Sequence, residues 1–365
     1  MAIFLQTFVR DQGISLYLYY DMLNRYLNTF STVCLLVGLS CLALFPAQAQ
    51  DVHFSQFYLS PLTTNPANTG HFDGDWRIAA NHRNQWRSLG NPYTTTSLSY
   101  DQNVFVYSEQ MAFGLLYLHD ESGTVGLKFD KIMLSGAYHK QLGRHKLRLG
   151  IQPGVVIKAV NLNGVSLPEQ YDRSTGTFNS SLPSSEPAYQ DQLTYFDFNA
   201  GISYSVNLGT FRPEAGLSFF HINQPNESFY AQTNKLPMRA MLTIRADIDL
   251  GKKLVFTPNY LHMIHQKASE ILVGANVMVR LNDNKIKASG IYGGMLFRNG
   301  INRNTDAAIA VVGMKFKHLE VGFNYDFTVS DLQAANNSQG AYEISIVYTS
   351  LSTLLQKTTV PCERY

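Results

Sequence analysis

Cysteine is almost missing from this chain. Three occur in 365 residues, and two of them, Cys34 and Cys41, fall in the uncharged leading stretch. Only Cys362 lies beyond that stretch, so no intramolecular disulfide is open to the remainder. Long apolar runs are missing too. The strongest, Val33–Phe45, falls short of the ~20 residues that a membrane-spanning helix needs. There is no G-x-S-x-G elbow, glycine-rich phosphate loop or cysteine pair. The local signatures of acyl transfer, nucleotide chemistry and thiol redox work are therefore lacking. An excess of one charge is lacking as well. Taking Arg10, Arg25, Asp11 and Asp21 of the first 49 residues out of the totals of 29 and 27 leaves 27 positive and 25 negative. Such balance argues against a nucleic-acid binder, which would show a basic stripe.

The first 49 residues read as a signal peptide. Met22 is followed by Arg25, an uncharged run from Tyr26 to Phe45, and the small-x-small site Ala47-Gln48-Ala49. Residues 1–21 read as an upstream over-extension, with Met22 as the true start. Two other readings fit less well. The apolar run is short for an anchor, and a lipoprotein acceptor at Cys41 is poorly preceded by Gly38-Leu39-Ser40. Cleavage after Ala49 makes Gln50 the first mature residue. Export without disulfides demands another means of holding the fold, and a closed hydrogen-bonded barrel supplies one.

What the chain has in quantity is alternation. In VGFNYDFTVS, Val321, Phe323, Tyr325, Phe327 and Val329 fall on one face of an extended strand. Gly322, Asn324, Asp326, Thr328 and Ser330 fall on the other. Fourteen segments are predicted as strands: 76–87, 94–101, 111–118, 129–140, 145–160, 195–207, 210–221, 239–249, 254–265, 270–281, 286–298, 306–316, 318–330 and 340–349. Ala240 to Asp249, Phe196 to Val206 and Ile271 to Arg280 alternate as cleanly. Segment 111–118 is apolar throughout and fits less well. Ten residues rise about 33 Å. Tilted near 45°, they cover roughly 24 Å, the height of an outer-membrane apolar band. A mean hydropathy of −0.12 agrees, because alternation averages out.

Loop lengths point the same way. Links Gln141–Arg144, Leu208-Gly209, Leu250–Lys253, Asn282–Lys285 and Lys317 are short. Links His119–Lys128, Asn161–Thr194, Ile222–Met238, Asn299–Thr305 and Asp331–Gln339 are longer. Short turns at one end and long loops at the other predict an up-and-down antiparallel β-barrel of about 14 strands in the cell outer membrane, with both termini periplasmic. Gln266–Ser269 and Gln102–Gln110 break the rule. Residues 50–75, broken by Pro61, Pro66 and Gly70, are expected as a structured lead segment at or inside the barrel mouth. The barrel is expected over 76–349, and residues 350–365 as a periplasmic tail.

A lipid-facing Arg or Lys near the midplane costs ~2–4 kcal/mol. Arg245 and Arg280 are therefore assigned to the lumen, with Asp247, Asp249, Asn324, Asp326 and Glu343. Asp247 and Asp249 share a face, but solvated lumen carboxylates explain them more simply than acid–base work. His262 and His265 point to opposite faces of a strand, so no metal pair is expected. Neither a catalytic residue nor a cofactor is assigned.

A string of motifs resembles the PorP/SprF family of outer-membrane proteins of the Bacteroidota type IX secretion and gliding system. They are Gln50-Asp51 with Phe54-Ser55-Gln56-Phe57-Tyr58, Pro61-Leu62, Asn65-Pro66-Ala67 and Arg83-Asn84-Gln85-Trp86. His221 to Asn226, Leu236 to Arg239, Gly322 to Asp326 and Gly340 to Ser345 follow in order. Phe323 stands where the family pattern has Tyr, and Tyr342 where it has His. The resemblance implies a non-enzymatic barrel. Its partners would be outer-membrane lipid, periplasmic components of that system (a peptidoglycan-linked lipoprotein is one candidate) and a secreted surface adhesin. Phe54, Phe57 and Tyr58 in the lead segment are the expected partner contacts, with Arg83, Trp86 and Arg87 at the outer rim. A channel for a small solute is the alternative.

Overall fold

The computed structural model describes residues 52–351, apart from 90, 107–108, 123–125, 161–169, 180–181, 183–190, 230–232, 267, 282–287, 301–304 and 332. The expected signal peptide and Cys362 lie outside the described residues. Fourteen strands form the barrel: β1 Trp76–Gln85, β2 Tyr93–Val106, β3 Glu109–Ser122, β4 Leu127–Leu142, β5 His145–Ala159, β6 Gln192–Val206 and β7 Phe211–Phe220 come first. β8 Arg239–Leu250, β9 Leu254–His265, β10 Ala268–Arg280, β11 Ala288–Gly300, β12 Thr305–Phe316, β13 Leu319–Thr328 and β14 Gln339–Thr349 follow. Each pairs antiparallel with its sequence neighbours. β1 closes on β14, from Arg77 opposite Thr349 to Gln85 opposite Ala341. Closure leaves no unpaired strand edge to face lipid.

All fourteen predicted strands are present, and their faces follow the period-two reading. Phe323 and Phe327 are exposed on the outside, while Asn324, Asp326 and Thr328 are buried inside. β2 runs past the apolar band to Val106, so only two residues separate it from β3. The long link expected at Gln102–Gln110 therefore falls almost wholly within β2 and β3, and one exception to the loop-length rule disappears. The alternation breaks at Gln102, a polar residue that faces outward, where Tyr100 donates to its Oε1 at 2.8 Å. The other exception stands: β9 and β10 join almost directly at the long-loop end. Glycines in the left-handed region, Gly143 (φ 61°) and Gly209 (φ 83°), tighten two of the short turns.

The lead segment folds inside the barrel. A 3₁₀ turn at Phe57–Leu59, a helical turn at Pro61–Thr64 and a second 3₁₀ turn at Pro66–Asn68 make it compact. Proline opens two of these turns, where its missing N–H costs nothing. The Asn65 side chain accepts from the Ala67 N–H at 2.8 Å and caps the third.

Candidate functional site: the filled lumen

Polar alternation gives the barrel an interior of hydrogen-bonding side chains, and the segment from Val52 to Gly74 meets them on every side. Toward the long-loop end, the Ser55 and Gln56 N–H groups donate to Glu343 Oε1 (2.7 Å) and Oε2 (3.0 Å). The Ser55 hydroxyl donates to Asp326 Oδ2 at 2.9 Å. Arg83 pairs with Glu343 and with Asp326 (3.0 Å), and Arg298 pairs with Asp326 at 3.0 Å. Asn324 donates to the same carboxylate at 3.0 Å. Two guanidinium groups thus face two carboxylates, all deeply buried. Removing one partner from such a cluster typically costs about 3–5 kcal/mol, because the other charge is left unpaired. Arg83 and Glu343 are also direct neighbours across the β1–β14 seam. The segment is therefore tied to the pair that closes the barrel.

Midway down, glycines make room. Gly150 and Gly201 are opposite each other on β5 and β6. A Cβ at Gly150 would fall well inside contact of the Pro66 carbonyl carbon and the Ala67 nitrogen; one at Gly201 would lie 2.9 Å from Asn65 Cγ. Asn65 Nδ2 uses the space to donate to the Ile202 carbonyl (3.1 Å) and, more weakly, to Leu217 (3.4 Å). Ser218 donates to the Thr64 carbonyl at 2.7 Å, and Gln152 to the Leu62 carbonyl at 3.1 Å.

Two apolar contacts complete the seat. Leu62 packs with inward-facing Leu116 and Met133. Phe57 packs in a patch with Met241, Leu261, Leu272, Leu296 and Ile309. This explains β3, which read as apolar on both faces. Its outer face meets lipid and its inner face meets Leu62.

Nearer the short-turn end, Asp101 accepts from the Gly70 N–H (2.7 Å) and from Arg77 Nη2 (2.6 Å), while Arg77 donates to the His71 and Asn68 carbonyls. His71 accepts at Nδ1 from Arg148 and contacts Glu214 through Nε2 at 2.9 Å. Burial pulls the His71 pKa below its ordinary value, and Glu214 offsets part of the shift. Beyond these groups lies a polar vestibule of about 630 Å³, bordered by Tyr58, Arg212, Arg245, Asp247, Arg280 and Glu320. Burial raises the Tyr58 phenol pKa, against the donation from Asn276 and the charge of Arg245.

The polar residues assigned to the lumen in the sequence fall into two groups. Arg245 pairs with Asp247 at 3.3 Å; Asp249 is shared between Arg212 (2.7 Å) and Arg280 (2.6 Å) at the vestibule wall. Asn324, Asp326 and Glu343 hold the segment instead. Arg83, expected at the outer rim, is buried within the lumen, because residue 83 shares its face with inward Arg77 and Asn81. Trp86 meets Tyr93 edge-on at 5.1 Å, and Arg87 lies 4.9 Å over Tyr342, both at the long-loop end. Phe54 and Phe57 are buried against the wall. His262 bonds Ser269, while the His265 ring lies 6.5 Å from that of His221, tilted to it by 41°. Sequence reasoning missed Arg298, Asp101, Arg148 and Glu214. The available signal was apolar or glycine residues at inward positions of otherwise alternating strands, which marks a lumen with an occupant.

A family model described as type IX secretion system membrane protein PorP/SprF matches residues 47–348. The chain belongs to this family. The match takes in the lumenal segment as well as the barrel of this PorP/SprF protein. With the closed barrel, membership places it in the outer membrane. No curated protein matches it by sequence. Among solved structures it is similar to "CymD monoaromatic hydrocarbon channel", at 12% identity over 80% of this chain and 93% of that one, with a TM-score of 0.47. It is also similar to "CdiB from Escherichia coli", at 7% identity over 74% of this chain and 63% of that one, with a TM-score of 0.46.

Proposed function

We propose that this protein is a non-enzymatic docking barrel of the type IX secretion system, joining periplasmic components to exported surface adhesins. The observation that carries this reading is the filled lumen. A barrel whose interior is occupied by its own chain, bonded to most of its strands, is built to present surfaces rather than to pass solute. Trp86 and Arg87 offer an aromatic-plus-Arg surface at the long-loop end for a secreted adhesin. Tyr58, at the vestibule, would face a periplasmic component, for which a peptidoglycan-linked lipoprotein is a candidate. Phe54, Phe57 and Arg83 serve this function indirectly, by fixing the segment. The polar residues Arg245, Asp247, Asp249 and Arg280 keep the vestibule wall solvated and ordered. The test is affinity purification from native outer membranes in mild detergent, with mass spectrometry of what stays bound. Stoichiometric recovery of a periplasmic lipoprotein or a large surface adhesin is expected. Recovery of the barrel alone would refute the docking reading.

A further inference from the structure

We infer that the short-turn mouth of the barrel is a receptor for an acidic peptide, a stretch of glutamates or aspartates with apolar side chains between them, carried by a periplasmic protein. This rests on the docking reading and gives the periplasmic partner its chemistry. Short turns of such barrels face the periplasm. The ends of β7 to β10 are tied side by side there. The Asp249 N–H donates to the Thr210 carbonyl at 2.8 Å, and the Arg280 N–H to the Lys253 carbonyl at 2.7 Å. The charges that these ends carry do not balance. One carboxylate, Asp249, serves both Arg212 (2.7 Å) and Arg280 (2.6 Å). Arg245 has Asp247 at 3.3 Å, and Lys315 has Glu320 at 3.5 Å. Lys252, Lys253 and Lys317 are exposed and have no ion-pair partner among the described residues. Seven cations therefore stand against three carboxylates.

The other acids that border the vestibule are already matched: Glu214 accepts from Arg148 at 2.8 Å, and the charge of Asp73 acts on Lys146. At the long-loop end, by contrast, Lys128 and Lys158 each have a carboxylate of their own, Glu121 at 3.1 Å and Glu227. The excess is thus local, in a chain whose formal net charge is only +2. Its position selects the ligand. Five of the cations, those of β7, β8, β10 and β12 with Lys317, border the vestibule inside the ring of strands. Lipid headgroups meet the outer face of the wall and do not reach them. Val255, Met278 and Phe316 border the same space and set apolar surface between the charges. A polyphosphate or sulfated glycan has no use for that surface. An acidic peptide uses both: its apolar side chains cover the patches, and its carboxylates fit a guanidinium fork, as Asp249 fits that of Arg212. Short turns hold the cations in place before the ligand arrives, which lowers the cost of binding.

The test uses the full-length protein in nanodiscs of zwitterionic lipid and a fluorescein-labelled hexaglutamate peptide, read by anisotropy, with hexalysine as the charge control. Saturable binding of hexaglutamate alone is expected, weakening as salt is raised. The triple variant Lys252→Glu/Lys253→Glu/Lys317→Glu should bind it roughly tenfold more weakly. Lys128→Glu, at the long-loop end, should bind it as the parent does. Heat-modified migration on gels checks that the triple variant is folded; Lys252→Gln/Lys253→Gln/Lys317→Gln takes its place if it is not. No saturable binding, equal binding of hexalysine, or equal affinity in the triple variant would overturn the inference. So would loss of binding once anionic phospholipid is added to the discs, which would assign the cations to headgroups. Affinity purification separates this inference from the docking reading. If the triple variant still recovers the periplasmic component from native membranes, docking stands and the acidic-peptide site falls. If the parent recovers no partner yet binds hexaglutamate, the site stands and docking falls.

Discussion

Replacing Gly150 by Ala adds one methyl group to the inner wall of β5, directly beneath the Pro66–Ala67 peptide. The obstructing atoms are backbone, so no side chain can swing aside and the segment itself must move. Movement weakens the two bonds from Asn65 to the wall and the bond from Ser218 to Thr64, each worth ~0.5–1.5 kcal/mol net. Overpacking adds ~1–3 kcal/mol. Together the seat loses about 2–5 kcal/mol, while the strand ladder around Gly150, whose backbone is ordinary β, is untouched. At ~1.4 kcal/mol per tenfold, amide exchange of residues 64–70 should accelerate roughly 30-fold to a few thousand-fold. Hydrogen-exchange mass spectrometry in detergent or nanodiscs reads this directly. Gly136→Ala is the control, because a Cβ there meets nothing within 4 Å. Equal exchange in Gly150→Ala, Gly136→Ala and the parent protein would refute a tightly seated segment.

Glu343→Gln keeps the shape of the seam pair but removes its charge. It should lower the temperature at which the folded barrel unfolds on heated gels, consistent with a loss of several kcal/mol, and speed exchange at Ser55 and Gln56; an unchanged midpoint would contradict a buried charge cluster there. Seating should also depend on pH through His71. Its pKa is depressed in the seated state, so below the ordinary value of about 6.5 the released segment takes up a proton that the seated one refuses. The seat therefore weakens as pH falls from about 6.5 and levels off below the depressed pKa. About a third of the His71 side chain is still exposed, so the effect is modest. Exchange of residues 68–72, corrected for intrinsic rates, should show this slope in the parent and lose it in His71→Gln; identical profiles would exclude His71 as its source.

The barrel was readable in the sequence because lipid imposes one strict rule on its outer face. Phe323, Val277 and Phe196 must be apolar, and every second residue is freed to be polar. The lumen imposes no such period. Its occupant is the twenty-odd residues that precede the first strand, and nothing local in Arg83-Asn84-Gln85-Trp86 says that Arg83 turns inward to Ser55 while Trp86 stays at the rim. Counting alternation back from Arg77 would have placed Arg83 inside. The joint appearance of Gly150, Gly201, Leu116 and Met133 on inner faces would have shown that the interior is packed. Which part of the lead segment meets which strand is a tertiary fact with no periodic trace.

The lumen is filled by the protein's own chain, and single-channel recording in planar bilayers tests that most directly. The full-length protein should be electrically silent across applied voltages. A variant lacking residues 52–74, or Gly150→Ala where that deletion fails to assemble, should show stepwise conductance through the emptied or loosened lumen. Steady, wide-open conductance from the full-length protein would contradict the account and make this barrel a channel.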